Sequence, residues 1–442
     1  MTWLLTCGLR FWDAEVRRRG RKPSLASIGV GVSREEAERL YALSFETANI
    51  ERFISHSWSA ARLGKWLALC DVLHRHLAIG SALLWWLVTT LLAVSVRFVT
   101  GQPRPYPLAI ITFVLMPAWL LFFLLVQNLE VVGSTCYLDK LCVHQFDDKL
   151  KLEGISALGD GLQVSRRLTI LWSGDYFTRL WCIFEIAVFV ASLKGDAANR
   201  RIEFQPLWLP PFLLGLLACN VLVVLGSAML EGSPVFSALM FALGPYAGIG
   251  AFWVIANTVP ALFICFLMRR KSLAVQSMLE GLLSFELDNT KATVESDRLL
   301  VYEQIRVLFG STEEFEEYVR TEFHEAVTQA VGRPRLGEWA IVIFMPYAWF
   351  ATVEVASISR EAVEAQAGRS GFADFVFTSY CFHLSQWCIV YPAVLRGLNL
   401  AQHLSRSVTG CPALILDVVV YQSLNFVLNT GLTYMFNAPN FS

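Results

Sequence analysis

Apolar runs of about 20 residues with almost no charge constrain this chain most, because that is the length a bilayer core requires. Two occur early, at residues 77–99 and 108–126, and the RFVTGQPRPYP between them is too short for anything but a hairpin turn. Further runs cover 207–230, 235–268, 337–357, 375–395 and 411–436. The run at 235–268 is broken at Gly244-Pro245; it is too long for one straight span and short for two. Arg269-Arg270-Lys271 follows it, and clustered basic residues favour the cytosol, so one kinked crossing is expected there. The chain therefore reads as an α-helical multi-pass membrane protein of about seven spans, with the lipid bilayer as its expected partner. Composition agrees: 17% of residues are charged, against about 25% in a soluble domain. A formal net charge of −1 gives no support for a nucleic-acid partner. No internal repeat of the secondary-transporter kind is visible.

Between the apolar runs lie segments of a different character. Residues 1–50 read as a cytosolic helical leader, with a capping box at Ser33 and Glu36. Residues 51–58 read as a strand and 59–76 as an amphipathic helix. After the hairpin the pattern resumes, with a strand over 131–138 ending at Asp139 and a helix over 150–164. A β-branched run then turns at Ser173-Gly174-Asp175 into an amphipathic helix, and a last strand follows at 202–207. Strands alternating with helices indicate a parallel sheet, here split into 51–76 and 128–206 by the 77–127 hairpin. Both parts then lie on one side of the bilayer. The apolar region 207–268 comes next, and residues 269–336 read as a small cytosolic helical module. It carries a second capping box (Ser311, Glu314) and an apolar stripe at Phe315, Val319, Phe323, Ala326 and Ala330. Residues 337–442 hold the last three spans.

In parallel sheets ligands sit beyond the carboxyl ends of the strands. Ser173 and Asp175 stand at such an end, and Glu185 lies about three helical turns further on. Taken alone, a lone carboxylate on an amphipathic helix reads as part of a solvated face. His56, just past the first strand, reads as a hydrogen-bonded structural residue. Cys136, Cys142 and His144 lack a second ligand pair, so no metal is expected. The 10 cysteines are scattered and read as reduced. Asp417, Gln422, Asn425 and Asn429 lie along the last span, Glu354 in the fifth and His383 and Gln386 in the sixth. They suit interhelical hydrogen bonds or, alternatively, a polar transport path centred on Asp417.

Ser173, Tyr176 and Trp181-Cys182-Ile183-Phe184-Glu185 together resemble the S-x-x-Y…W-C-x-x-E signature of Toll/interleukin-receptor (TIR) domains. FISHSW is similar to the first strand and loop of that family, STCYLDK to its second strand ending at Asp139, and LEGISALGDGLQVS to the helix before its third strand. The run Tyr137-Leu138-Asp139-Lys140-Leu141-Cys142-Val143-His144-Gln145 is also similar to the W-I-D-x-x-C-I-x-Q of fungal heterokaryon-incompatibility domains, distant relatives of the same family. No fifth strand and helix follow Leu207. The resemblance implies a flavodoxin-like parallel sheet used for self-association in signalling. For a subset of the family it also implies NAD glycohydrolase activity, with NAD as substrate and no resident cofactor. Glu185 would then be catalytic, with Ser55, His56, Asp139, Ser173 and Tyr176 near the pocket. One carboxylate suffices for that chemistry, since it stabilises the oxocarbenium charge while nicotinamide leaves neutral.

Three functions are therefore expected to leave different traces. An enzyme places Glu185 in an open cleft beside Ser55. A signalling or assembly module buries it, paired with an arginine such as Arg52 or Arg179. A channel or transporter carries a continuous polar cavity reaching Asp417.

Overall fold

The computed structural model of the protein describes residues 34–100, 135–192, 202–332 and 389–437, together with 381 and 385, except positions 43, 46, 145, 231–232, 293–294 and 406. The chain runs through α1 (Arg34–Tyr41), β1 (Ile50–His56), α2 (Arg62–Thr100), β2 (Cys136–Tyr137), α3 (Asp139–Cys142), α4 (Asp148–Ser156) and α5 (Leu158–Gln163). It continues with β3 (Ser165–Trp172), α6 (Leu180–Ser192), β4 (Ile202–Pro206), α7 (Leu209–Leu230), α8 (Pro234–Ala256) and α9 (Thr258–Leu283). The last described helices are α10 (Ser296–Phe309), α11 (Thr312–Tyr318), α12 (His324–Gly332), α13 (Tyr391–Leu404) and α14 (Gly410–Asn437). The described residues divide into two compact units, one drawn from segments 1–75, 128–211 and 274–334, the other from 76–127, 212–273 and 335–442.

The first unit is built on a four-stranded sheet in the order β2-β1-β3-β4, every pairing parallel. Side chains on a strand alternate between faces, and the two cores follow that alternation. Phe53, Leu168, Ile170, Trp172 and Phe204 face one core with α5 and α6. Ile54 and Leu171 face the other, against Ala68 of α2. On this second face Gln205, fully buried, donates to Asp71 of α2 at 2.8 Å, and Arg75 holds the same carboxylate at 2.8 Å. Charge also ties the strands together: Glu203 of β4 accepts from Arg167 of β3 at 2.6 Å and pairs with Arg52 of β1.

Helix α6 departs from the amphipathic reading. Nine of its side chains are buried, among them Leu180, Ile183, Ala187 and Phe189, so it needs cover on every side. The sheet and α5 cover part of it, and the described residues of 274–332 cover much of the rest. Val301 and Ile305 of α10, Phe315 of α11 and Val327 of α12 join the same core. The segment that looked like a helical module of its own is thus continuous with the sheet's core, and α12 also packs beside β4, the edge strand of the sheet among the described residues. The returning chain satisfies the exposed amide at the start of α6, since the Leu180 N–H donates to the Lys291 carbonyl at 3.2 Å. Trp181 Nε1 donates to Asp297 at 3.0 Å.

Ser311 caps α11, the Glu314 N–H donating to Ser311 Oγ at 3.1 Å, which is one half of the expected capping box. The apolar stripe, however, runs Phe315, Val319, Phe323, Val327, while Ala326 is half-buried and Ala330 exposed. A π-helical turn over Val319–Phe323 makes the difference, because its wider turn returns every fourth residue to the same side.

Other boundaries differ from the sequence reading for local reasons. The helix expected over 59–76 and the apolar run at 77–99 form one helix, α2, with no proline inside it to break the hydrogen-bond ladder. Asp139 opens the single turn α3 rather than closing a strand, and β2 pairs only through Cys136 and Tyr137 among the described residues. The helix expected over 150–164 is two helices, parted at Ala157, with Asp147 capping α4 through the Lys149 and Leu150 amides. The region at 235–268 is broken twice. Gly244 takes φ 76°, a left-handed conformation open to glycine, and a 60° bend separates Tyr246–Ala256 from α9. Ser33, the return of the early hairpin (101–134), the run at 337–357 and most of that at 375–395 lie outside the described residues, as do Glu354, His383 and Gln386.

Among the described residues, two helices are by length and composition long and apolar enough to cross a membrane, Arg62–Leu92 and Gly410–Leu432, or three if the bent pair counts as one. Phe315 is fully buried where α6 is roofed. Phe315→Ala is expected to destabilise the first unit by about 3–5 kcal/mol, read as a lower unfolding midpoint of the purified full chain.

Candidate functional site

The strand order β2-β1-β3-β4 reverses direction between β1 and β3, and the crevice outside the carboxyl ends of those strands is the usual ligand position in such sheets. The sequence-predicted residues gather around that point in three separate hydrogen-bonded groups.

The first centres on Glu185. Ser55 lies two residues after Phe53 and so faces α6, where its hydroxyl donates to Glu185 Oε2. Tyr176, in the 3₁₀ turn that follows β3, places its hydroxyl 2.5 Å from Ser55 Oγ. A hydroxyl carries one proton, so with Ser55 donating to Glu185 Oε2, Tyr176 donates to Ser55. Tyr176 and Ser55 are fully buried and Glu185 is 8% exposed. Burial pushes the Glu185 carboxyl up to about 8, against the lowering effect of the Ser55 hydrogen bond, so it is protonated at neutral pH. No arginine pairs with it among the described residues: Arg52 holds Glu203, and Arg179 joins a backbone bridge to Lys291.

The second group lies on the other side of β1. His56 faces away from Ser55 and brings Nε2 to 3.9 Å from Asp139 Oδ1. Burial lowers the His56 pKa to about 4, so at pH 7 this contact joins a neutral imidazole to a carboxylate rather than two charges. Trp58 Nε1 donates to Asp139 at 2.5 Å, and Lys140 Nζ sits 4.9 Å from the Trp58 ring centroid.

The third group joins the two strand ends. Asp175 accepts from Ser173 at 2.6 Å, from Ser57 at 2.8 Å and from Ser59. Burial pushes the Asp175 carboxyl up, but the three hydroxyls outweigh it and hold the group below its usual value. The sequence reading found Ser173 and Asp175 but not Ser57, Ser59 or Lys65. The signal available was S-x-S directly after β1, opposite the Ser-Gly-Asp turn after β3. Lys65 is buried and donates to the Ser57 and Trp58 carbonyls at 3.2 and 3.4 Å, closing the loop over the crevice.

Neither of the two cavities described in this unit is lined by Glu185. One, of about 680 Å³, lies at the carboxyl ends of β3 and β4, between the start of α2 and the end of α9. The other, of about 560 Å³, lies among Arg34, Tyr41, His144 and Lys149.

Within the second unit Asp417 is fully buried and committed. Arg269 donates to it through Nε at 2.7 Å and Nη2 at 2.9 Å, and Gln402 donates at 2.8 Å. Arg269, read in sequence only as a marker of membrane side, is the partner that reasoning missed. An isolated acid in one apolar run and a basic cluster closing another were the available signal. Gln422 donates to the Val254 carbonyl at 3.1 Å, and Asn429 to that of Asn425 at 2.8 Å.

No protein-family model, no curated protein and no solved structure matches this chain.

Two measurements test this chemistry. A carboxyl raised from 4.5 to about 8 binds a proton in the fold that the unfolded chain has released. Its contribution is full below about pH 4.5 and is lost as pH rises through about 8. Glu185→Gln is therefore expected to gain unfolding midpoint relative to the parent between pH 5 and 8; a constant offset would refute the buried neutral acid. Arg269→Met is expected to cost about 3–5 kcal/mol, with most of it recovered by adding Asp417→Leu, in unfolding of the full chain.

Proposed function

We propose that the chain is a membrane-anchored, TIR-like signalling and assembly protein, its α/β unit in the cytosol and Glu185 serving the fold of that unit. The observation that carries this reading is the closed state of Glu185: protonated, 8% exposed, and hydrogen-bonded to Ser55 beneath Tyr176. The parallel order β2-β1-β3-β4 accords with a flavodoxin-like domain. The S-x-x-Y…W-C-x-x-E residues occupy one connected region, with Trp181 held by Asp297 and Cys182 approaching the His56 carbonyl at 3.6 Å. Anchoring rests on the apolar helices α2 and α14 and the bent pair, and the cytosolic side on Arg269-Arg270-Lys271.

The NAD glycohydrolase alternative draws on the same carboxyl, because perturbed acids cluster at active sites. It requires Glu185 to ionise and to reach a ribose, which means displacing Ser55 and Tyr176. The transport alternative requires an available Asp417, whereas both its oxygens are engaged.

The deciding experiment measures nicotinamide release from NAD by the full chain in lipid nanodiscs, alone and after forced clustering, beside Glu185→Gln. No release from either protein is expected. Release that the substitution abolishes would overturn the assembly reading in favour of the enzyme. Glu185→Ala, which leaves the Ser55 hydroxyl without its acceptor, is expected to lower stability by about 1–3 kcal/mol.

A further inference from the structure

The cavity of about 680 Å³ falls within the size range of organic-ligand pockets, and its chemistry is selective. Its walls are chiefly apolar, with Leu67, Trp172, Phe177, Leu207, Trp208 and Met278 contributing the largest side chains. Four of the polar side chains among them are engaged by other partners. Ser173 donates to Asp175 at 2.6 Å, Thr178 to the Asp175 carbonyl at 2.8 Å, Ser284 to the Glu280 carbonyl at 3.0 Å and Asn289 to Glu286 at 2.8 Å. Ordered water needs two to four polar partners, and these walls offer few. No lysine or arginine stands among the described walls, and Glu286 does, so the chemistry opposes a phosphate or a nucleotide. What remains is an uncharged apolar chain or ring.

The elements that form the walls narrow the choice. Ala60, Ala61 and Gly64 keep the start of α2 thin, and Ser277 and Gly281 do the same for the end of α9, leaving a slot between two helices. Helices α2, α7 and α9 all contribute to the walls, and each is continuous with one of the apolar runs, at 77–99, 209–230 and 258–268. Pro211 lies inside one of those runs and Ala274 a short way past another, so if the runs cross a bilayer these walls stand at its edge, within reach of a phospholipid tail.

We propose that this cavity binds one acyl chain of a bilayer phospholipid, a site separate from the Glu185 group. The inference rests on the membrane anchoring proposed above. Occupancy would fill the space between the ends of β3 and β4 and the last turns of α9, and so make the shape of the α/β unit responsive to the lipid around it.

The test uses the full chain reconstituted in vesicles of phosphatidylcholine bearing a photoactivatable diazirine at the end of one acyl chain, with labelled peptides mapped by mass spectrometry. Label is expected on peptides from 172–178 and 274–289 as well as on the apolar runs. A Cβ added at Gly281 meets nothing within 4 Å, so Gly281→Phe can place its ring in the cavity without a backbone clash. Gly281→Phe and Ser277→Phe are each expected to reduce the cavity label at least ten-fold, leaving the label on 77–99 and 209–230 and the unfolding midpoint unchanged. Label on the apolar runs but none in the cavity, or cavity label that persists in both variants, would overturn the acyl-chain site alone. Absence of label from the apolar runs would overturn the membrane anchoring and this site with it.

Discussion

Helix α6 has no face that tolerates water, and the rest of the first unit follows from that. A thirteen-residue helix with nine buried side chains cannot stand against one face of a sheet with its back to solvent. The polypeptide must bring apolar surface to its other sides, and the local sequence cannot supply it, because β4 is followed at once by α7. Cover comes instead from residues 274–334, after a long passage through apolar helices. The roof and the helix then share polar contacts that register them: Leu180 with Lys291, and Trp181 with Asp297. Burial of the helix and the return of the chain are one requirement seen from two sides.

The buried charges divide into two kinds. Glu203, Asp71 and Asp417 each meet a cation; the pairings of Glu203 with Arg52 and of Asp417 with Arg269 join elements far apart along the chain, while that of Asp71 with Arg75 lies within α2. Removing one partner from such a pair leaves an uncompensated charge, so these contacts act as locks on the fold. Glu185 differs. Its only side-chain partner among the hydrogen bonds described is a serine, and burial keeps it neutral. A neutral acid linked to two hydroxyls can fill a core position that an ionised one cannot.

The strands β1, β3 and β4 and the position of helix α6 could be read from the residues as apolar or β-branched runs, with polar residues after β1 and a Ser-Gly-Asp turn after β3. Ser55 and Tyr176 lie with Glu185, whereas His56 lies with Asp139 and Ser173 with Asp175, in place of the one pocket the resemblance implied. That they form separate groups could not be read, because it depends on strand parity: Ser55 and His56 are neighbours in sequence yet face opposite sides of the sheet. The roof over α6 was hidden by distance, since hydrophobic periodicity reports that a helix is covered but not by what. The Arg269–Asp417 pair was hidden in the same way, being 148 positions apart. Of the two breaks in the region at 235–268, glycine before proline marked the first; the second carried a signal too, Asn257 with Pro260 three residues on, which the sequence reading did not use.

The π-helical turn at Val319–Phe323 has a consequence for how this sequence can vary. An ordinary helix advances about 100° per residue, so a stripe spaced in fours drifts steadily off its target. The wide turn absorbs that drift with one additional residue and delivers Val327 to the same side as Phe315. The region therefore keeps count: losing or gaining a single residue here would rotate α12 about its axis and carry Val327 out of the core, even if every side chain kept its character. Substitutions can be absorbed one at a time along this helix, whereas its length is fixed to the residue.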